Sequence, residues 1–258
     1  MCSQLKLIPL KGLREERFGR IICYPKCDSE ELEERLKELK QIDVQAVEFS
    51  GPKTAHDTHV LGKGCVSIVL IAHTKHGLAA LKARRIDASR IDMEHEVAML
   101  KKANSVGVGP SFYGSTKNFI LMELVEGTLL PEWISSLKGR GKAQRIRRVL
   151  RRILEDCWQL DRAELDHGEL SRAAKHIIIE KDDTPRMVDF EAASTNRRPA
   201  NVTSIVQYLL IGSDLAKKIN HIIGRVSRER LIEALGAYKR KPNLESFSKI
   251  LTICKLGP

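Results

Sequence analysis

No stretch of this chain approaches 18 consecutive apolar residues, so no membrane-spanning helix is expected. The start, Met-Cys-Ser-Gln-Leu-Lys, lacks the charged-then-apolar layout of a secretory signal, which makes the cytoplasm the expected compartment. Cysteine gives little to build on. Six are scattered at positions 2, 23, 27, 65, 157 and 254, and only Cys23 and Cys27 are close. One such pair, with no second pair and no nearby histidine, falls short of a zinc site, and buried thiols are the better reading. Internal repeats and low-complexity linkers are absent too. One absence is local: "KGRGKAQRIRRVLRR", Lys138 to Arg152, holds eight basic residues and no acid.

What is present fits a folded chain of ordinary composition. Its 258 residues, 42% apolar and 30% charged, are enough for one large domain or two small ones with a real core. The formal charge of +11 points to polyanionic partners: nucleic acid, a ribonucleoprotein or a phosphorylated protein. Arg145, Arg148 and Arg152 stand at helical spacing on one exposed face, the expected RNA contact.

Residues 1–57 read as a small strand-helix-strand extension, too small to bury much alone and expected to pack on the rest of the chain. "RIICYP" (Arg20–Pro25) reads as a strand. Asp28 caps a helix, with Glu31 as its reciprocal partner and Leu32, Leu36 and Leu39 on one side. "VQAVEF" is the second strand, and "SGPKT" closes the unit as a turn. Residues 58–127 then read as five strands with one helix inserted after the third, Val97, Leu100 and Ala103 marking its buried side. Residues 128–258 turn mostly helical. Their longest helix carries the apolar stripe Ile146, Val149, Leu150, Ile153, Leu154 and Cys157. "HIIIEKDDTPRMVDF" is a hairpin with its turn at Asp182–Pro185. The fold class is α+β.

Six features succeed one another in an order that suits phosphoryl transfer. "LGKGCVSIV" is a glycine turn whose N–H groups can bind anions. Lys82 stands on the next strand, and Glu96 lies in the helix after it, with Glu94 as the fallback. A Lys–Glu pair between strand and helix positions ATP phosphates in kinases. "NFILMELVEG" ends an apolar strand in an acid and a glycine, as a connector reading an adenine edge would, with Met122 at the back wall. "HGEL" supplies Glu169, and "RMVDF" supplies Asp189, a carboxylate suited to Mg²⁺.

At these residues the chain resembles small atypical protein kinases: the RIO kinases, the small kinase of the KEOPS tRNA-modification complex, and most of all a family of predicted archaeal serine/threonine kinases. "VLGKGCVSIV", "HGELSRAAKHIII", "VDFEAAS" and "RRPANVTSIVQYLL" carry that last likeness. The resemblance covers about Thr58 to Ile222 and implies a bilobal kinase-like fold, ATP and Mg²⁺. By position it implies that Gly62, Lys63, Gly64 and Ser67 cover the phosphates, and that Lys82 pairs with Glu96. Val69, Ala80 and Ile178 would sandwich the adenine, and Glu123 and Val125 would offer hinge backbone groups. Glu169 would be the catalytic acid, where such kinases normally carry Asp, and Asp189 the metal acid. The usual Asn, five residues on, is replaced by Ala174, so two extra loop residues would put His176 at the Asn position. There is no Ala-Pro-Glu and no long activation segment between Asp189 and Asn201. The implied activity is a serine/threonine kinase acting on itself or a few protein partners. An ATPase switch on RNA or a ribonucleoprotein, a nucleotide-binding pseudokinase and a small-molecule kinase are the alternatives.

Overall fold

The computed structural model describes residues 6–257. They form two compact units: residues up to 98 together with 110–124, and residues 99–109 together with 125 onward.

The first unit is built on an antiparallel seven-stranded sheet. Its strands are β1 (Lys6–Pro9), β2 (Val44–Phe49), β5 (Gly62–Lys63), β6 (Ser67–Thr74), β7 (Gly77–Arg84), β8 (Phe112–Ser115) and β9 (Phe119–Glu123), in the order β1-β2-β6-β7-β9-β8, with β5 also on β6. A two-stranded ribbon, β3 (Lys53–Ala55) and β4 (Thr58–Val60), accompanies them. One edge of β6 is shared: Val69 pairs with Gly62 of β5, and Ile71 with Glu48 of β2. The N-terminal stretch thus contributes β1 and β2 to this sheet.

Side chains alternate across a strand, so β6, β7 and β9 offer two faces. Ile68, Leu70, Ala72, Ala79, Leu81, Phe119 and Leu121 make the buried one. Helices α1 (Glu16–Ile22) and α2 (Ser29–Gln41) cover it with Phe18, Ile21, Ile22, Leu36 and Leu39 in a single core cluster. Asp28 caps α2 by accepting from the Glu31 N–H at 2.9 Å. The reciprocal half of the expected box is not formed, because Glu31 turns instead to Arg35 at 2.6 Å.

The strand expected at Arg20–Pro25 is a correction: Arg20–Ile22 end α1, and Pro25 lies in its exit. A short apolar run has no period of its own. Here Phe18, Ile21 and Ile22 fall on one helical face against α2, and Gly19 is tight against Leu32, with a Cβ there 3.1 Å from its side chain. The first strand lies earlier, in "KLIP". The expected turn "SGPKT" is half strand, since Lys53 and Thr54 begin β3.

Arg35 is the other departure from the sequence pattern. It is fully buried among the leucines of α2. Its guanidinium donates to Glu31, to the carbonyls of Ile22 and Arg84 at 2.8 and 2.7 Å, and to Asn118 Oδ1 at 3.2 Å. A buried charge is tolerable only when so satisfied. The result ties α2 to the end of β7 and the start of β9.

Helix α3 (Glu94–Asn104) comes after β7, with Val97, Leu100 and Ala103 buried as expected. The second unit holds β10 (Thr128–Leu129), α4 (Leu130–Ser136), α5 (Lys142–Arg162) and the hairpin β11 (Ile177–Ile179) and β12 (Pro185–Met187). Then come α6 (Asn201–Val206), α7 (Asp214–Ile223), α8 (Arg228–Arg240) and α9 (Leu244–Ile253). The apolar stripe of α5 is wholly buried. No helix among the described residues is long and apolar enough to cross a membrane.

Candidate functional site

Two constellations of polar residues stand out, one in each unit. The first lies on the sheet face opposite the core. Directly paired antiparallel residues share a face. Val69 pairs with Lys82, Lys82 with Ile120, and Ala80 with both Ile71 and Met122. Val69, Ala80, Lys82 and Met122 are thus neighbours on one surface. Lys82 is only 4% exposed, and its Nζ lies 2.6 Å from Glu96 Oε1 in the first turn of α3. Glu96 faces inward with Met93, Val97 and Leu100, whereas Glu94 is exposed.

The glycine turn enters this face through β5. A Cβ on Gly62 would come within 3.2 Å of Val69 Cγ2, so glycine lets β5 lie over Val69 without the valine giving way. Gly64 N–H donates to the Ser67 carbonyl at 2.8 Å and closes the turn. Ser67 is itself the buried first residue of β6, and Lys63 and Gly64 are exposed. At the end of β9, the Glu123 carboxylate accepts from the Ser111 N–H and hydroxyl at 2.9 and 3.0 Å. The Glu123 N–H donates to the Ser111 carbonyl. That N–H of the expected hinge is therefore already committed within the chain. Val125 and Ile178 belong to the second unit, both half-buried, with Ile178 paired to Leu129 and Arg186.

The second constellation is Glu169, His176 and Asp189. Gly168, at φ +87°, starts the turn; a Cβ there would lie 2.6 Å from the Ala192 carbonyl oxygen. A short 3₁₀ segment, Leu170–Lys175, broken at Arg172, then returns the chain so that His176 meets Glu169. His176 Nε2 lies 3.5 Å from Glu169 Oε2, and its Nδ1 3.8 Å from Asp189 Oδ2. Asp189 sits past the end of β12 in the left-handed region at φ +71°, uncommon for a non-glycine residue. The two carboxylates are partly exposed while the imidazole between them is buried. One ligand atom from each of the three lies within 4.8 Å of the others.

Burial also shapes the neighbourhood. His167, fully buried, reaches the Val188 carbonyl at 3.3 Å and packs on the rings of Phe190 and His176. Burial, with the nearby His176, pushes its pKa down to about 4, so it stays neutral. Asp166, just before the His-Gly-Glu-Leu run, has structural partners: Arg197 Nε at 3.0 Å and the Ala200 N–H at 3.3 Å. Sequence reasoning missed Asn201, which is 1% exposed and joins the His167 N–H, the Leu165 carbonyl and Asp161. Its only signal was its place at the start of α6.

No protein-family model matches the chain, and a search of curated proteins finds no match.

The arginine face of α5 is less uniform than the spacing implied. Arg145 makes a two-pronged bond to Asp183 at 2.7 and 2.6 Å, and its guanidinium lies over Trp133. Asp183 also accepts from Trp133 Nε1, and these donors hold its carboxyl below the usual range. Arg148, 3.6 Å from the same carboxylate, is 65% exposed, and Arg152 is exposed. The expected trio splits into one structural arginine and two outward ones.

Proposed function

We propose that the chain is an ATP- and divalent-cation-dependent atypical serine/threonine kinase that phosphorylates itself or a few protein partners, within a bilobal kinase-like fold. The observation that carries this reading is the buried Lys82–Glu96 pair. Burying both charges costs several kcal/mol per ion, and apolar side chains of similar volume would often hold the strand and helix at least as well. The pair makes sense if its ammonium serves a ligand. It shares its face with Val69, Ala80 and Met122 and comes after a glycine turn, the groups that a purine and a triphosphate call for.

Glu169, His176 and Asp189 suit a divalent cation. Two carboxylates and an imidazole are common metal donors, and the buried His176 Nδ1 has no hydrogen-bond partner among the described residues. Asp189 and His176 would hold the ion, which when bound supplies charge neutralisation to phosphoryl oxygens. Glu169, partly exposed, would accept a hydrogen bond from a serine or threonine hydroxyl and orient it. The hydroxyl oxygen forms a bond to the γ-phosphorus, the bond from that phosphorus to the β–γ bridging oxygen breaks, and ADP leaves. The hydroxyl proton passes to the Glu169 carboxylate. Lys82 draws on the α- and β-phosphates.

One observation favours a second reading, an ATPase acting on RNA or a ribonucleoprotein: Arg148 and Arg152 project from an acid-free basic run. Water would then replace the hydroxyl. Incubation with γ-labelled ATP tests both. Labelled protein supports the kinase, and free phosphate alone supports the ATPase. If the label stays in ATP, or Lys82→Ala behaves as wild type, both readings fail.

A further inference from the structure

One aromatic side chain of the N-terminal segment lies beside the glycine turn. Tyr24 lies just past α1 and packs against the core of the first unit. Its carbonyl accepts from the Ile86 N–H at 2.9 Å, fixing it beside the exit of β7. Two cations lie over its ring, Lys63 Nζ and Arg85 Cζ, each 4.9 Å from the centroid, and the His56 ring lies 5.1 Å away. Arg85 is in turn the main grip on the turn. Its Nη1 donates to the Gly64 carbonyl at 2.9 Å, and its backbone N–H to the Val66 carbonyl at 2.7 Å. Asp87 orients the guanidinium with two bonds, at 2.8 and 2.7 Å.

We infer that Tyr24 is a positioning residue for the glycine-rich turn, through which the N-terminal segment sets the affinity for a nucleoside triphosphate. The inference rests on the nucleotide reading proposed for the Lys82 face. Two like charges converge on one ring, and the ring's negative face is what makes their approach favourable. Lys63 is exposed, so a polyphosphate can draw its ammonium off the ring while Arg85 keeps the turn in place. A nucleoside without phosphates offers Lys63 nothing and is indifferent to Tyr24.

The turn carries its own reporter site, since Cys65 stands exposed between Gly64 and Val66, while Cys23, Cys157 and Cys254 are buried. A spin label on Cys65 of the full chain, with Cys2 and Cys27 changed to serine, reads the turn's motion without nucleotide. Titration calorimetry with ATP and with adenosine reads binding. Tyr24→Leu is expected to speed the label's motion and weaken ATP by about three- to tenfold, with adenosine within about twofold. Tyr24→Phe, which keeps the ring, restores both. Arg85→Gln loosens the label without touching the core, which covers the case of a poorly folding Tyr24→Leu. Unchanged label motion in both Tyr24→Leu and Arg85→Gln overturns the inference, as does equal weakening of ATP and adenosine. If the wild type binds neither ligand, the nucleotide reading and the coupling both fall, and the label still decides whether Tyr24 holds the turn.

Discussion

Replacing both members of the Lys82–Glu96 pair separates a functional ion pair from a structural one. Lys82 and Glu96 are each 4% exposed, and their charged atoms are 2.6 Å apart. Lys82→Met alone leaves the Glu96 carboxylate buried beside a thioether. Breaking a buried pair in this way costs about 3–5 kcal/mol. Lys82→Met with Glu96→Leu removes the second charge as well, and such replacements are often neutral or stabilising by about 1–4 kcal/mol. The expected pattern is a marked loss of stability in the single variant and near-complete recovery in the double. Phosphoryl transfer from γ-labelled ATP should be absent in both. Amide hydrogen exchange along β6, β7 and β9 is the suitable stability measure, because it reports the local opening energy of the first unit without assuming that two units unfold together. A double variant as unstable as the single one would show that the pair holds the fold together and would rule out a ligand-serving role for it. Full ATP turnover in the recovered double variant refutes it equally.

Glu169→Gln should lower turnover at least about tenfold with ATP binding nearly intact, because the acid orients the acceptor rather than the nucleotide. An imidazole donor favours Mn²⁺ over Mg²⁺, so the nucleotide-free wild type should bind Mn²⁺ by electron paramagnetic resonance titration, and His176→Ala should bind it about ten- to a hundredfold more weakly. Asp156 is held up to about 7 by burial, against an ordinary value of 3.8, with Arg152 opposing the rise. The folded state thus retains a proton that the unfolded chain loses, and stability present below pH 3.8 is lost as pH rises towards 7. Asp156→Asn should therefore match the wild type near pH 3.5 and exceed it at pH 8 by about 2 kcal/mol, half the simple linkage limit because the group is only partly buried. Reversing Arg148 and Arg152 should reduce the salt dependence of RNA binding, and Arg145→Glu, which breaks the two-pronged bond to Asp183, should cost about 1–2 kcal/mol.

Elements whose cause is local were legible in the sequence. The Asp28 cap starts α2 where expected, because the acceptor and the N–H it satisfies are three residues apart. The stripe from Ile146 to Cys157 marks α5, because its period alone decides which side is buried. The β11–β12 hairpin formed as expected, but its turn lies at 180–184 and Pro185 already begins β12. Chain order also pointed to Glu96 as the partner of Lys82, with Glu94 as the fallback, and Glu96 is the one that meets it. Tertiary structure decided what depends on partners far along the chain. Arg20–Ile22 are helix because α2 offers them a surface, not because of their own propensities. Arg35 is buried because Asn118, 83 residues on, and two carbonyls accept from it, and no pattern within α2 distinguishes it from a solvated arginine. Arg145 is committed because the hairpin turn delivers Asp183 to it from 38 residues away. His176 reaches Glu169 only because a broken 3₁₀ segment folds back. A charged side chain looks the same in sequence whether water or a distant carboxylate satisfies it, and only the packed chain supplies that second partner.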